Sequence, residues 1–334
     1  MSERVTDTPA GVRTRCRSGP RNQHACERLQ PWPARPARSE RRAVSRARAK
    51  RIHRASEWNP SSAWATAGRP GQRPTRPQKI GVPDARPTGQ DATMTNSPLL
   101  QSVWRRWEGL AGVPVHFPAP GGATVVVSPD SGLCPPGWVG LIALGGAVLA
   151  TAPDERRAAL VRAALRERPA ELAGDPDQLR QLLPLTETLG PAALAYLPPD
   201  GVLPQPPTDL TVHQLPPTDA RLRDLERRTG RADADEAGLD GLTSPAFAVL
   251  TADDRVIAAC GYRAWPFDTA HFAVLTDPAH RNQGLARHTA TAAAHHARSA
   301  GLLPQWRARI PASQRVATHL GFHPLGTQLS AQVP

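Results

Sequence analysis

The stretch Thr269–Gly301 constrains the fold more than any other part of the sequence. Its first eight residues, Thr269–Thr276, carry apolar side chains at both odd-numbered and even-numbered positions, which point to opposite faces of a strand. This pattern predicts a strand in the middle of a sheet covered on both faces. Asp277 and Pro278 end that strand, because proline cannot donate to a ladder. Alanines at helical spacing follow and Gly301 supplies a stop, so the stretch predicts a strand, a loop and a helix.

The loop between this strand and helix has the chemistry of an anion site. Gly284 and Ala286 are small, so they leave backbone N–H groups uncovered at a helix N-terminus, the positive end of the helix dipole. Arg281 and Arg287 add formal positive charge beside them. A phosphate is favoured in such a place. The local pattern alone also fits an ordinary strand-turn-helix with a glycine in its turn, because short glycine motifs are common.

Three motifs in order carry a resemblance to a known family. The sequence Arg-Asn-Gln-Gly-Leu-Ala at Arg281–Ala286 fits the pattern (Q/R)-x-x-G-x-(G/A), the acetyl-CoA signature of the GNAT superfamily of N-acetyltransferases. Downstream, Leu303–Arg309 resembles the next strand of that family, and Ala312–Phe322 resembles its helix ending in Leu-Gly-Phe. The resemblance covers roughly residues 206–334, and the FR47-like branch is the most similar.

The resemblance implies the GNAT acyl-CoA N-acyltransferase fold, an α/β fold with a mixed, mostly antiparallel sheet flanked by helices. The strands Thr269–Thr276 and Gln305–Arg309 would splay apart around acetyl-CoA as co-substrate. Backbone groups of the first strand's end would pair with the pantetheine amides, and N–H groups of the loop would hold the pyrophosphate. The implied cofactor-binding residues are Leu275, Thr276, Arg281, Asn282, Gln283, Gly284, Leu285, Ala286 and Arg287.

The implied reaction is direct attack of an amine on the thioester carbonyl, which requires a general base. Many relatives carry a carboxylate early on the central strand, where this chain has Ala270 and then His271. An imidazole can act as a base near neutral pH, so His271 is the candidate catalytic residue. The alternative is that His271 is a strand histidine satisfied by a neighbour. Glu236 and Asp240 could activate a water instead, although solvated loop charge is the simpler interpretation of both.

The family's usual acid is missing. Relatives often carry Asn at the position of Ile310 and Tyr at that of Ala317, and neither replacement has a proton to give. His319 and Ser313 lie nearby in the sequence, but Ser313 is predicted to cap its helix. The leaving thiolate could take its proton from water.

Two functions are therefore compatible with the sequence. The first is an acetyl-CoA-dependent N-acetyltransferase acting on a small-molecule or peptide amine. The second is a catalytically silent GNAT-like module that binds CoA as a sensor or interaction partner. Aromatic residues Tyr262, Trp265 and Phe267 could wall the acceptor pocket or pack in the core. The pair His295-His296 lacks a third ligand, so no metal site is predicted.

The excess positive charge lies entirely in the first 93 residues. Of 41 Lys+Arg and 29 Asp+Glu in the chain, 20 basic and 7 acidic residues lie before Met94. This Arg/Pro-rich leader lacks apolar periodicity and is predicted to be disordered. Three interpretations stay open for it: a mis-assigned start with the true start at Met94, an inert tail, or a basic binding arm. The remainder is close to neutral, so its charge gives no argument for binding nucleic acid.

The rest of the chain is predicted to contain a small N-terminal α/β domain over 94–200, a proline-rich linker at 201–208 and the GNAT domain over 209–334. Trp138–Ala150 is too short to span a bilayer as a helix, and its Gly145-Gly146 pair predicts a hairpin between buried strands. Four cysteines without C-x-x-C spacing are typical of reduced thiols. We expect a cytoplasmic protein with no membrane partner.

Overall fold

The computed structural model describes residues 97–167, 169–204 and 210–334. The predicted leader, residues 1–93, and half of the predicted linker, residues 205–208, lie outside the described residues. The helices are α1 (Pro98–Leu110), α2 (Glu155–Ala164), α3 (Pro169–Gly174), α4 (Pro176–Leu182), α5 (Ala220–Thr229), α6 (Arg231–Ala237), α7 (Leu285–Ser299) and α8 (Pro311–His319). The strands are β1 (Ala123–Val127), β2 (Val139–Leu144), β3 (Ala147–Ala152), β4 (Glu187–Tyr196), β5 (His213–Leu215), β6 (Ala246–Leu250), β7 (Val256–Trp265), β8 (Thr269–Thr276), β9 (Leu303–Ala308) and β10 (His323–Gln332).

All ten strands form one sheet in the order β1-β3-β2-β10-β4-β9-β8-β7-β6-β5. The two parallel pairs among the described strands are β1 with β3 and β8 with β9, and the other neighbours run antiparallel. From β5 onward the element order is β-α-α-β-β-β-α-β-α-β, as the resemblance implied. The predicted mixed, mostly antiparallel sheet flanked by helices, which is the GNAT fold, is confirmed.

The N-terminal part of the chain contributes strands to the same sheet. Strand β4 lies between β9 and β10, and β10 in turn pairs with β2 on its other side. The two predicted halves on either side of residues 201–208 thus share a continuous sheet. The division into a domain over 94–200 and a domain over 209–334 stays a prediction.

The hairpin of β2 and β3 shows why the apolar run around Gly145-Gly146 does not need a membrane. Both strands are buried along their whole length, and the two glycines have φ of 57° and 79°, which they adopt without the strain of a Cβ. Helix α1 covers one face of the hairpin with its apolar side, including Trp104 and Trp107. Among the described residues, no helix is both long enough and apolar enough to cross a bilayer.

Strand β8 lies centrally in the C-terminal part, and both of its faces are covered as predicted. Phe272 belongs to a core cluster with the buried alanines of α7, whereas Ala273 and Leu275 pack with leucines of α5 on the opposite face. The alanine positions 290, 293 and 297 are fully buried, so α7 lies close against the sheet. This close packing fixes the position of the loop that precedes α7.

Several element boundaries differ from the sequence prediction. The charged run from Asp154 to Arg168 predicts one continuous helix, but α2 ends at Ala164 and the short helix α3 begins at Pro169, because proline favours the first turn of a new helix. The first C-terminal strand spans only His213–Leu215. Ser313 does not cap α8: the N-cap is Ile310, and the Ser313 hydroxyl accepts a hydrogen bond from Trp306 Nε1 at 3.0 Å.

Candidate functional site

The β8–β9 pair opens along its length. The two strands are in register at Thr269–Leu303, Ala270–Pro304 and His271–Gln305, and no register pair follows. Beyond this point β8 pairs only with β7, while β9 pairs with β4. The residues from Phe272 to Thr276 therefore have one edge without a strand neighbour. Unpaired backbone groups at the centre of a sheet require another partner.

The end of this open edge contains an unpaired hydroxyl. Thr276 Oγ1 is buried and has no hydrogen-bond partner among the described residues. Leu275, its neighbour, is buried and packs toward α5. These are the two strand residues whose backbone the resemblance assigns to the pantetheine. That assignment stays a prediction, and an unpaired buried polar atom at this place agrees with a missing polar ligand.

The loop from β8 to α7 exposes a row of backbone donors. Gly284 is the N-cap of α7 with φ of 77°, and Asn282 also has a positive φ of 64°. No hydrogen-bond partner among the described residues receives an N–H group from Asn282, Gln283, Gly284, Leu285 or Ala286. These five consecutive donors run from the loop into the first turn of a fifteen-residue helix, at the positive end of its dipole, and an arrangement of this kind is able to bind an anion.

The two arginines of the loop differ in their surroundings. Arg281 forms an ion pair with Asp233 of α6 at 2.5 Å, and its Nε donates to the Thr276 carbonyl at 3.4 Å. Arg287 is exposed and forms no ion pair with a described residue, and its guanidinium lies 3.9 Å from where a Cβ on Gly284 would stand. Arg287 therefore offers the available charge beside the N–H groups.

His271 lies at the last paired position of β8, where the strands begin to diverge. Its Nδ1 lies 2.8 Å from Gln305 Oε1, and its ring stacks on Trp265 with 4.4 Å between centroids. Gln305 Nε2 donates to the Tyr196 hydroxyl at 2.6 Å, which also accepts from Trp107 Nε1 at 2.8 Å. This chain of contacts, Trp107–Tyr196–Gln305–His271, joins α1 and β4 to the candidate base.

The contacts of His271 decide its charge and its tautomer. Burial lowers the pKa of the imidazole to about 4, and the positive charges of Arg307 and Arg263 also lower it, whereas the hydrogen bond to Gln305 acts to raise it. The ring is therefore neutral at neutral pH. With the amide oxygen of Gln305 facing Nδ1, the proton stays on Nδ1 and the lone pair of Nε2 is left to accept a proton.

A cleft with a cavity volume of about 50 Å³, open to solvent, lies beside His271 on the face covered by α5 and α6. Its lining residues lie in β4, β7, β8 and β9, in α6 and the segment that follows it, and directly after β9: Ala192, Glu236, Ala237, Gly238, Gly241, Arg263, Trp265, His271, Phe272, Ala273, Arg307 and Arg309. The cleft thus adjoins the point where β8 and β9 part.

The other residues considered for proton transfer lie in different parts of the structure. Glu236 lines the cleft but accepts a hydrogen bond from Arg309 Nε at 2.7 Å, so its carboxylate is already engaged. Asp240 is exposed and does not line the cleft. Ala317 is buried and Ile310 is exposed, so the two positions with a polar residue in relatives offer no proton here. His319 is exposed, and its Nδ1 lies 2.6 Å from the Arg315 carbonyl.

The aromatic residues proposed as pocket walls divide in the same way. Trp265 lines the cleft, whereas Tyr262 packs against Phe272 on the opposite face and its hydroxyl lies 2.9 Å from His296 Nδ1. Phe267 packs at Gly109, where a Cβ would lie 2.4 Å from its ring. No group of three or more metal-ligating side chains occurs in the part of the chain that the structure describes.

Sequence reasoning missed Gln305, Tyr196 and Trp107 as a group. Each occurs in a different element, and their positions 107, 196 and 305 have no local spacing that would connect them. The available signal was that Tyr and Trp carry a polar atom that needs a partner when buried.

Comparison with known proteins agrees with this geometry. Residues 247–327 match the family model for GNAT acetyltransferases, a segment that contains β7, β8, the loop, α7, β9 and α8. No curated protein matches the sequence.

Solved structures of acetyltransferases are similar at low identity. A putative acetyltransferase from the GNAT family of Novosphingobium aromaticivorans is 21% identical, with 44% of this chain and 65% of that chain covered and a TM-score of 0.35. An acetyltransferase from the GNAT family of Colwellia psychrerythraea is 11% identical, with 55% and 75% covered and a TM-score of 0.38. A GCN5-related N-acetyltransferase-like protein from Streptococcus suis is 13% identical, with 73% and 97% covered and a TM-score of 0.38.

The chain spans just under two thirds of the first of these proteins. TM-scores this low carry no argument about function. The fold assignment therefore rests on the strand order and on the matched segment.

Proposed function

We propose that the protein is an acetyl-CoA-dependent N-acetyltransferase of the GNAT family, of its FR47-like branch, which transfers the acetyl group to an amine by direct attack. The observation that carries the proposal is the row of five unpaired N–H groups at Asn282–Ala286, next to a strand edge left open between β8 and β9. The row of N–H groups fits a diphosphate, and the open strand edge fits an arm that carries amide groups. Acetyl-CoA has both.

Each part of the site has a distinct role in this proposal. The N–H groups of Asn282–Ala286 and the guanidinium of Arg287 hold the pyrophosphate. The backbone of Leu275 and Thr276 holds the pantetheine amides along the open edge of β8. The acceptor amine enters through the cleft, so that its nitrogen and the thioester carbon meet near His271, where the strands part. Acetyl-CoA supplies an activated acyl group, and the chain supplies position and a proton acceptor.

His271 is the proposed general base. The amine attacks in its neutral form, and the proton it must lose becomes strongly acidic as the new C–N bond forms. The Nε2 lone pair of a neutral imidazole accepts that proton, and the Gln305–Tyr196–Trp107 chain holds the ring in place by bonding Nδ1. Since neither Ile310 nor Ala317 can donate, the thiolate takes its proton from water.

A thiol-release assay with acetyl-CoA against a library of amines tests this proposal. We expect release that depends on the amine and saturates with acetyl-CoA. The second candidate function, a CoA-binding module without turnover, is favoured by the absence of a protonating side chain at Ile310 and Ala317. Binding of acetyl-CoA without release for any acceptor would favour this second function.

A further inference from the structure

Helix α6 is held in place with little packing. None of its residues, Arg231–Ala237, is buried, whereas Leu225 before it and Leu239 after it are fully buried. Glycines cap both of its ends: Gly230 and Gly238 have φ of 86° and 66°, a region that glycine adopts without strain. A segment without buried side chains opens locally at a low cost in free energy. The position of α6 therefore depends on the polar contacts that it makes.

Among the described residues, two ion pairs join α6 to the ends of the strands that part. Asp233 pairs at 2.5 Å with Arg281, in the loop after β8, and Glu236 pairs with Arg309, directly after β9. Because β8 and β9 run parallel, their ends lie at the same edge of the sheet. Helix α6 thus bridges the open end of the strand pair, and its last residues line the cleft.

The first of these ion pairs lies where the pyrophosphate is proposed to bind. Arg281 directly precedes the row of N–H groups at Asn282–Ala286, and its side chain is 46% exposed. In the structure its guanidinium is committed to the chain itself, to Asp233 and to the Thr276 carbonyl. A guanidinium pairs with a phosphate as readily as with a carboxylate. A diphosphate on the row therefore competes with Asp233 for Arg281, and the two anions repel each other.

We propose that Asp233 sets the affinity for acetyl-CoA: it holds Arg281 in the free protein and yields it to the pyrophosphate, which releases the first turn of α6. This proposal rests on the proposed function, because it requires a pyrophosphate at Asn282–Ala286. Asp233 is a positioning residue, since it acts on the co-substrate through Arg281. Because α6 also lines the cleft, loading of acetyl-CoA loosens one wall of the acceptor site, and the two sites are coupled through this helix.

Calorimetric titration of acetyl-CoA into the full chain at low salt tests the affinity. We expect Asp233→Asn to bind about two- to fivefold tighter than the parent chain, because an exposed ion pair no longer has to be exchanged. A purely structural Asp233 predicts the opposite sign, since its loss would loosen the loop. Asp235→Asn is the matched control: it removes the same charge from the same helix, where Asp235 pairs with Arg231 at 3.5 Å, and should bind as the parent chain does.

A double-mutant cycle assigns the gain to Arg281. Arg281→Gln alone should weaken acetyl-CoA binding. In that background Asp233→Asn should give little further gain, since no guanidinium remains to be released. The gain of the single variant should also shrink at high salt, because both partners are partly exposed. A gain of full size in the Arg281→Gln background would overturn the exchange of partners.

Hydrogen exchange followed by mass spectrometry measures the release of α6. We expect its amides to exchange faster in the chain saturated with acetyl-CoA than in the free chain, the reverse of the protection that ligands usually give. In Asp233→Asn the exchange of α6 should be fast in both states. Unchanged or slower exchange in the loaded parent chain would overturn the coupling of the two sites.

The outcomes separate this inference from the proposed function. If acetyl-CoA binds the parent chain but Asp233→Asn binds it no tighter than Asp235→Asn does, the inference is overturned while acetyl transfer stands. If Asp233→Asn gains affinity through Arg281 but no amine releases thiol, the inference stands and acetyl transfer is wrong. Absence of acetyl-CoA binding by the parent chain overturns both.

Discussion

Helices α2 and α7 both begin after a strand of the same sheet, but their N-termini are capped differently. At α2, Asp154 is the N-cap, and its Oδ1 accepts the Arg157 N–H at 2.9 Å, so the chain closes the helix with its own carboxylate. At α7 the N-cap is Gly284, which has no side chain, and five consecutive N–H groups have no acceptor among the described residues. The proposed function gives these groups to an anion from outside the chain.

The two parallel strand pairs show the same contrast. Strands β1 and β3 stay in register over five residues, from Ala123–Val148 to Val127–Ala152. Strands β8 and β9 stay in register over three and then part beside a charged cleft. Strand β1 is therefore paired with β3 along its whole length, whereas β8 and β9 part and leave an open edge inside the sheet. An open edge inside a sheet is where a ligand can pair with the backbone.

Removal of the His271 imidazole, where β8 and β9 part, should have the largest effect on catalysis. We expect His271→Gln to lower kcat by about a hundredfold or more, since general bases contribute on this scale. Gln can still bond Gln305, so the strand should stay paired. Acetyl-CoA affinity, measured by calorimetry on the same sample, should be unchanged. A variant with full activity would remove His271 from the mechanism.

Removal of the Arg287 charge beside the N-terminus of α7 should have a smaller effect, and on acetyl-CoA affinity. We expect Arg287→Gln to weaken acetyl-CoA binding by about three- to tenfold, less at high salt, because an exposed guanidinium is screened. The control is Arg162→Gln on α2, where the arginine pairs with Glu155 of its own helix. Equal affinities for these two variants at low salt would contradict the role given to Arg287.

Loss of the Asp154 cap at the N-terminus of α2 should lower the stability of the fold and leave acetyl-CoA binding unchanged. Asp154→Ala removes the cap of α2, and we expect the free energy of unfolding to fall. Denaturant titration measures this loss, and Asp154→Asn, which can still cap, should recover most of it. Acetyl-CoA affinity should not change in either variant. A loss of affinity without a loss of stability would mean that the two junctions do not differ as described.

The folded chain should also lose stability in mild acid, in part through His271. Its pKa is lowered to about 4 from 6.5, so between these values the unfolded chain binds more protons than the folded one. The free energy of unfolding therefore falls as the pH drops from about 6.5 to about 4. We expect Tm to fall less over this interval in His271→Gln than in the parent chain. The same fall in both would show that the imidazole is not held neutral by burial.

Local pattern was enough to predict the part of the fold that surrounds the loop. The two-sided apolar run of Thr269–Thr276, the glycine before α7 and the alanine spacing within α7 each act through neighbours in the sequence, and the structure has the corresponding strand, N-cap and packed helix. The expected hairpin at Gly145-Gly146 formed for the same reason.

Long-range pairing could not be predicted in this way. Nothing in the sequence of β4 indicates that it lies between β9 and β10, because strand neighbours are chosen by the packing of the whole sheet. The ion pair of Arg281 with Asp233 and the contacts of Gln305 with Tyr196 depend on that choice. The cap predicted at Ser313 was wrong because α8 begins at Pro311, which places Ser313 inside the first turn, where its hydroxyl accepts a hydrogen bond from Trp306 Nε1.

Calorimetric titration of acetyl-CoA into a pair of glycine variants tests the central claim most directly. Gly284 and Gly301 flank the two ends of α7 with nearly the same φ, 77° and 74°, so Glu at either position strains the backbone alike. Only Gly284→Glu puts a carboxylate among the unpaired N–H groups. We predict that Gly284→Glu weakens acetyl-CoA binding at least about tenfold, roughly 1.4 kcal/mol, while Gly301→Glu binds as the parent chain does. Equal affinity for the two variants would contradict the claim that the open terminus of α7 is the pyrophosphate site.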